Sequence, residues 1–275
     1  MKTVAFAVQK GGCGKTTSAT AVAYNLATAG KKVLLVDMDS QENATYCMGG
    51  DINAPCTLYD YYTRECSIDE TIQPLSENLH LVTGGLQLMR IDSEMTRKKN
   101  SEYLLKQFLE PLSDDYDYAI IDCPPALLLP TTQAAVAGGV VVPLNLEGFS
   151  LLGLGNMIHH LQFIHDVFSP DLRLYGILIT KYNKRSLVSK SLEQNVIDYA
   201  ASIGAKVYKT RIRICQDIVT AQAMRNPAVY GKRNAAANDY RAFTDELQED
   251  LINGCTDIFA TNDIDDDEED YNDES

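Results

Sequence analysis

The stretch KGGCGKTT, residues 10–17, constrains this chain more than any other. It follows an apolar run, Thr3 to Gln9 (TVAFAVQ), that reads as a buried strand. It leads into Thr16 to Ala29 (TTSATAVAYNLATA), an alanine-rich run with apolar residues at helical spacing, ended by Gly30. A glycine loop between a strand and a helix is a cradle for phosphate. Gly11, Gly12 and Gly14 let backbone N–H groups curl around an anion, and the helix dipole points at the same place. Cys13 fills the variable position of the loop. Lys15 would reach the β and γ phosphates, the Thr16 hydroxyl would ligate Mg²⁺, and Thr17 would bond the α phosphate. The usual pattern G-x-x-x-x-G-K-[ST] nevertheless fails at its first position, where Gln9 stands. A second lysine, Lys10, precedes the glycines instead.

The rest of the chain alternates strands with helices. Strands are expected at Lys32–Asp37, Leu79–Thr83, Tyr118–Asp122, Gly139–Leu144, Leu174–Thr180 and, last, Lys206–Ile212. Helices are expected at Ser101–Leu112, Phe149–Phe168, Leu187–Ser202, Gln216–Met224 and Ala235–Ile252. No element is assigned to residues 40–75 or 84–100. The alternation implies an α/β fold: three layers, with a mostly parallel twisted sheet flanked by helices, as in P-loop NTPases. In such sheets ligands bind at the carboxyl ends of the strands. Asp37 and Asp39 end KVLLVDMD and Asp122 ends YAIIDCPP, so three carboxylates are expected beside the loop. One polar group orients the attacking water and another sits near the metal.

KGGxGKTT, VLLVDxDxQxNAT and a buried strand ending DxPP together resemble the deviant Walker A ATPases, and within them the ParA/Soj-type partition ATPases. The resemblance runs from residue 1 to about 252. It implies ATP and Mg²⁺ as ligands and slow, partner-stimulated hydrolysis. It implies an ATP-dependent homodimer in which Lys10 reaches the nucleotide of the other subunit, as an arginine finger does. By the same resemblance Asp39 orients the water, Asp37 and Asp122 serve the metal with Thr16, and Asn183 contacts adenine. Non-specific DNA binding, a centromere-binding partner of the ParB type and a cytoplasmic, nucleoid-associated location are also implied. Two departures stand out. The family's D-P-Q-G-N is Asp39-Ser40-Gln41-Glu42-Asn43 here, and Arg211–Cys215 (RIRIC) replaces I-P-R-N.

Charge has to be read by segment. The 275 residues carry a net −14, but residues 262–275 hold nine acids and no base, leaving −5 for the rest. This bounds a domain at 1–254 and an acidic tail, expected to be disordered, at 255–275. Residues 206–233 carry seven bases against Asp217 alone. Lys209, Arg211, Arg213, Arg225, Lys232 and Arg233 are therefore the candidate DNA-phosphate ligands. The acidic C-terminus argues against a MinD-type lipid-binding helix. Seven cysteines without C-x-x-C spacing suggest free, mostly buried thiols in a reducing compartment. Cys123 has no evident second ligand, which disfavours an iron–sulfur or metabolic ATPase of the same superfamily.

Overall fold

The computed structural model describes residues 1–96, 98–147, 150–255, 258 and 259. The strands are β1 (Lys2–Phe6), β2 (Val33–Asp37), β3 (Ile72–Ser76), β4 (Leu79–Thr83), β5 (Tyr118–Asp122), β6 (Gly139–Asn145) and β7 (Leu174–Thr180). The helices are α1 (Lys15–Thr28), α2 (Asn43–Cys47), α3 (Leu58–Tyr62), α4 (Ile68–Thr71), α5 (Ile91–Met95), α6 (Leu104–Leu109), α7 (Leu129–Ala137), α8 (Ser150–Val167), α9 (Leu187–Ser202), α10 (Gln216–Ala223) and α11 (Ala235–Asn253).

The strands form one sheet in the order β3-β4-β2-β5-β1-β6-β7. All neighbours are parallel except β3, which pairs antiparallel with β4 at the edge. Strand β2 (VLLVD) is buried at every position, as a strand covered on both faces must be. One core cluster lies on each side of the sheet. Val4, Phe6, Val33 and Leu35 face α1 and α11, while Ala5, Leu34, Val36 and Ile121 face the opposite layer. Register then positions the site. Phe6 pairs with Asp122, Asp122 with Asp37, and Asp37 with Thr83, so two carboxylates share one row at the carboxyl end of the sheet.

Four expectations need correction. Lys206–Ile212 is not a strand. It meets β7 at the isolated bridge Ile177–Val207 and through the Ile212 N–H, which donates to the Ile179 carbonyl at 2.9 Å; a second bridge, Tyr182–Arg213, lies just beyond both segments. Between them the Glu246 carboxylate of α11 accepts the backbone N–H groups of Lys209 and Thr210, each at 2.9 Å, and pulls them off the ladder. Ser101–Leu112 is not one helix: a 3₁₀ turn precedes α6 and another follows it at Glu110–Leu112. Pro111 lacks the N–H that would continue the α pattern. The edge strand β3 escaped notice because Pro74 demotes the run IQPLS. Finally, the thiols are not all free, because Cys56 and Cys66 form a disulfide with their Cα atoms 6.0 Å apart.

Helix α11 ends at Gly254, whose φ of +81° lies in glycine's left-handed region. Ile258 and Phe259 are nonetheless buried in the core, so packing continues beyond the expected boundary at 254. The acidic run 262–275 lies outside the described residues. No helix among the described residues is long and apolar enough to cross a membrane.

Candidate nucleotide site

The loop after β1 opens into a cleft of about 850 Å³ at the carboxyl end of the sheet. Gly12 and Gly14 have φ of +74° and +84°, which a side chain would resist, and Gly11 faces open space. Helix α1 begins at Lys15, directly after Gly14, and its first turn contains no acid to compete for an anion. The Thr180 hydroxyl at the end of β7 donates to the Cys13 carbonyl at 2.8 Å and pins the loop. The buried Cys13 thiol meets Asn145 Oδ1 at 3.2 Å, so Cys13 anchors the loop to β6.

Both lysines of the loop are held internally. Lys15 is buried and donates to the Lys10 carbonyl at 2.9 Å. Lys10 Nζ pairs with Glu147 Oε2 at 2.5 Å, and Asn145 Nδ2 holds the other oxygen of that carboxylate. Thr16 lines the cleft, and Thr17 Oγ1 accepts from Gln222 of α10 at 2.9 Å.

The three strand-end carboxylates divide into distinct roles. Asp37 is fully buried, and its lone pairs are taken by the Thr45 N–H and hydroxyl at 2.8 and 2.9 Å and by the Asp39 N–H at 3.2 Å. It fastens the segment 39–45 to the sheet, and burial pushes its carboxyl up to about 7 despite these bonds. Asp39 lines the cleft while accepting from the Gln41 N–H at 3.0 Å. Asp122 is fully buried, and neither of its oxygens has a hydrogen-bond partner among the described residues. Burial first, and the neighbouring Asp37 second, raise its carboxyl well above the usual range, while Thr16 and Lys15 pull the other way. A buried carboxylate without a hydrogen bond, beside Lys15 and Thr16 that line the cleft, fits a divalent cation carried by a nucleotide. Thr16 and Asp122 are the residues that would hold Mg²⁺ here.

The departure at Glu42 has a geometric meaning. Glu42 adopts the left-handed conformation, φ +53°, which the family's glycine would take without strain. The Thr83 hydroxyl donates to its carboxylate at 2.7 Å and holds it there.

Other expected residues fall outside the cleft or are committed elsewhere. Asn183 is exposed, and its side chain accepts from the Arg185 N–H at 3.1 Å; the cleft wall at that end is Lys181 and residues 212–215. Sequence reasoning missed Lys181, which has φ +51° and whose Nζ lies 3.8 Å from where a Gly12 Cβ would stand. The signal was present, a lysine ending a strand beside the loop, but the neighbouring Asn183 was taken instead. Among the DNA candidates, Arg211 pairs with Glu193 at 2.6 Å and donates to the Tyr208 carbonyl. Arg213 pairs with both oxygens of Asp239 at 2.6 and 2.8 Å and donates to the Ala235 carbonyl. Arg225 donates to the Gly50 carbonyl at 2.6 Å and lies over the Tyr46 ring. Lys209, Lys232 and Arg233 are exposed and have no ion-pair partner among the described residues.

Comparison with known proteins agrees with this geometry. The family model described as an AAA domain matches residues 1–174. The chain is 37% identical to the chromosome partitioning protein ParA of Myxococcus xanthus over 194 residues, covering 70% of this chain and 69% of that one. It is 32% identical to the sporulation initiation inhibitor protein Soj of Bacillus subtilis over 250 residues, covering 90% and 98%. Among solved structures it superposes on the cobyrinic acid a,c-diamide synthase of Mycobacterium smegmatis with bound ADP and magnesium. That match has a TM-score of 0.81 at 27% identity and covers 92% of this chain and 96% of that one.

Proposed function

The chain belongs to the ParA/Soj family of P-loop ATPases, and from that membership we propose that it partitions a replicon by an ATP-driven cycle of dimerisation and DNA binding. It is an ATPase whose ligands are ATP and Mg²⁺. The observation that carries the site assignment is the buried, bare Asp122 carboxylate below the glycine loop.

In this reading the backbone N–H groups of residues 11–17 bind the phosphates. Lys15 leaves the Lys10 carbonyl and turns to the β and γ oxygens. Thr16 and Asp122 would hold Mg²⁺, which would supply charge neutralisation at those oxygens. Asp39 orients the attacking water and accepts its proton. Lys10 leaves Glu147 and enters the nucleotide site of the partner subunit, which makes dimerisation depend on ATP. Lys181, held in a strained conformation over the loop, adds a further cation on the phosphate side.

DNA contacts are assigned to Lys209, Lys232 and Arg233, whose charges have no ion-pair partner among the described residues. Dimerisation doubles such contacts on one body, which makes affinity ATP-dependent without altering the surface. A ParB-type partner would stimulate hydrolysis and reset the cycle. The ATPase domain spans residues 1–254 and is extended by the core residues Ile258 and Phe259, with the acidic run 262–275 as its tail and a cytoplasmic site of action on the nucleoid. The fold alone also suits a metabolic ATPase, but the curated relatives at 32–37% identity favour partition.

Sedimentation with plain duplex DNA, in ATP, in ADP and without nucleotide, tests the proposal. Co-sedimentation in ATP alone is expected. Equal binding in all three states, or in none, would overturn it.

A further inference from the structure

The region that joins β2 to β3 contains a second cluster of chemically active side chains that does not line the nucleotide cleft. Cys56, Cys66 and Glu70 place two sulfurs and a carboxylate oxygen within 4.8 Å of one another. We propose that these residues form a binding site for a thiophilic divalent cation, Zn²⁺ by chemical class, whenever the Cys56–Cys66 disulfide is reduced.

The first argument is that the sulfur–sulfur bond is not the only feature that holds the donors together. Each cysteine immediately precedes the N-cap of a short helix. Thr57 caps α3, with its N–H and hydroxyl both donating to Asp60 Oδ2 at 2.8 and 2.7 Å. Ser67 stands in the same position before α4, with its N–H and hydroxyl donating to Glu70 Oε2 at 2.8 and 2.6 Å. Between the helices Arg64 takes φ +66° and reverses the chain. Helix α3 is itself anchored, since Leu58, Tyr59 and Tyr62 are buried in the core. Two capped and anchored turns keep Cys56 and Cys66 facing each other after the bond is opened.

The second argument is that Glu70 is built as a ligand. Ser67 occupies Oε2 alone, which orients the carboxylate and leaves Oε1 without a partner among the described residues. An outer-sphere hydrogen bond of this kind is what fixes a metal-binding carboxylate. Two thiolates and one carboxylate form a three-donor set that suits Zn²⁺, with water at the fourth position. Both cysteines are half-buried and Glu70 is exposed, so an ion has an entry path. The field is also favourable. Residues 51–77 contain Asp51, Asp60, Glu65, Asp69, Glu70 and Glu77 against the single base Arg64.

The chemistry balances without further reagents. Two small-molecule thiols reduce the protein disulfide, giving two protein thiols and one small disulfide. The cation then displaces two protons to form two metal–thiolate bonds. Oxidation by a small disulfide reverses the sequence and expels the ion. The same 10-residue span is closed in either state, by a covalent bond or by a metal bridge.

Co²⁺ is the probe, because tetrahedral thiolate coordination gives it visible d–d bands and a sulfur charge-transfer band. Full-length protein, reduced with a phosphine and kept anaerobic, is titrated beside Cys56→Ser/Cys66→Ser and Glu70→Gln. Retained ATP binding verifies that the variants are folded. The wild type is expected to take up one more equivalent than the double variant, whose other five cysteines are unchanged. Glu70→Gln should bind about tenfold or more weakly with the thiolate bands retained, and oxidised wild type should show no bands from this site. Equal uptake by wild type and the double variant overturns the proposal, as does undiminished affinity in Glu70→Gln.

Discussion

The phosphate loop and the segment 206–233 are both cationic, and they use charge in opposite ways. At the loop, Lys15 is buried against a backbone carbonyl, which it can exchange for a phosphate, and Lys10 is held by one exposed carboxylate. In the second region, Arg211, Arg213 and Lys206 are bound to Glu193, Asp239 and Asp250. Arg225 is spent on a carbonyl and a ring. A local excess of positive charge is thus no measure of charge offered to a ligand. What counts is whether the fold has already supplied the counter-ion.

The largest effect should come from the loop. Lys15→Ala is expected to lower ATP affinity by at least about a hundredfold, since a charge-assisted contact to phosphate is lost at a buried site. Calorimetry showing wild-type affinity would remove the loop from the contrast. Asp39→Ala should bind ATP normally and lose turnover by roughly 10²- to 10⁴-fold, the range for a missing proton acceptor. A phosphate-release assay reads this directly, and near-normal turnover would shift the role elsewhere. Lys10→Ala should bind ATP yet stay monomeric by light scattering.

The second region can be divided by experiment. Arg211→Ala breaks a half-buried ion pair and should cost about 1–3 kcal/mol of stability, read by urea unfolding. Lys209→Ala with Lys232→Ala and Arg233→Ala should leave stability nearly unchanged. That triple variant should weaken DNA binding for every sequence and flatten the salt slope by about 0.9 per lost phosphate contact. If Arg211→Ala alone reproduced the DNA defect at unchanged stability, the division between committed and free cations would be wrong.

The smallest effect is a pH dependence of stability. Asp37 is raised from 3.8 to about 7 by burial, and Asp122 is raised in the same direction. The folded state then binds more protons than the unfolded chain between these values. Without nucleotide, stability should therefore fall as pH rises from about 4 to 7. Thermal melts of Asp122→Asn should show a shallower fall than wild type, and equal slopes would mean that Asp122 is not strained in the free protein.

Much of the site was legible because its requirements are local. A glycine loop between a strand and a helix can be read from consecutive residues, and so can Asp37 and Asp122 as the last residues of apolar runs. The division between those two carboxylates was not legible. It depends on α2 folding back so that Thr45 bonds Asp37, while Asp122 is left with only the nearby Thr16 and Lys15 to offset its burial. Asn183 was misplaced for the same kind of reason. Strand ends near the cleft can be counted from sequence, but which side chain turns inward depends on the turn that follows. The supposed last strand failed because Glu246, some 36 residues away, competes for its N–H groups.

By itself, then, the amino-acid order determined what depends on neighbours along the chain: the alternation of elements, the anion-binding loop and the carboxylates at strand ends. These follow from backbone sterics, helix periodicity and the burial of apolar runs. Only the tertiary structure decided which charges remain available, because that depends on counter-ions brought from distant segments. It paired Arg211 with Glu193 and Lys10 with Glu147, set Cys56 against Cys66, and left the buried Asp122 without a hydrogen bond among the described residues, beside Thr16 and Lys15. Hydrogen bonds act only at contact, and ion pairs weaken with separation and salt screening, so both are settled by proximity in space, which chain position alone does not encode.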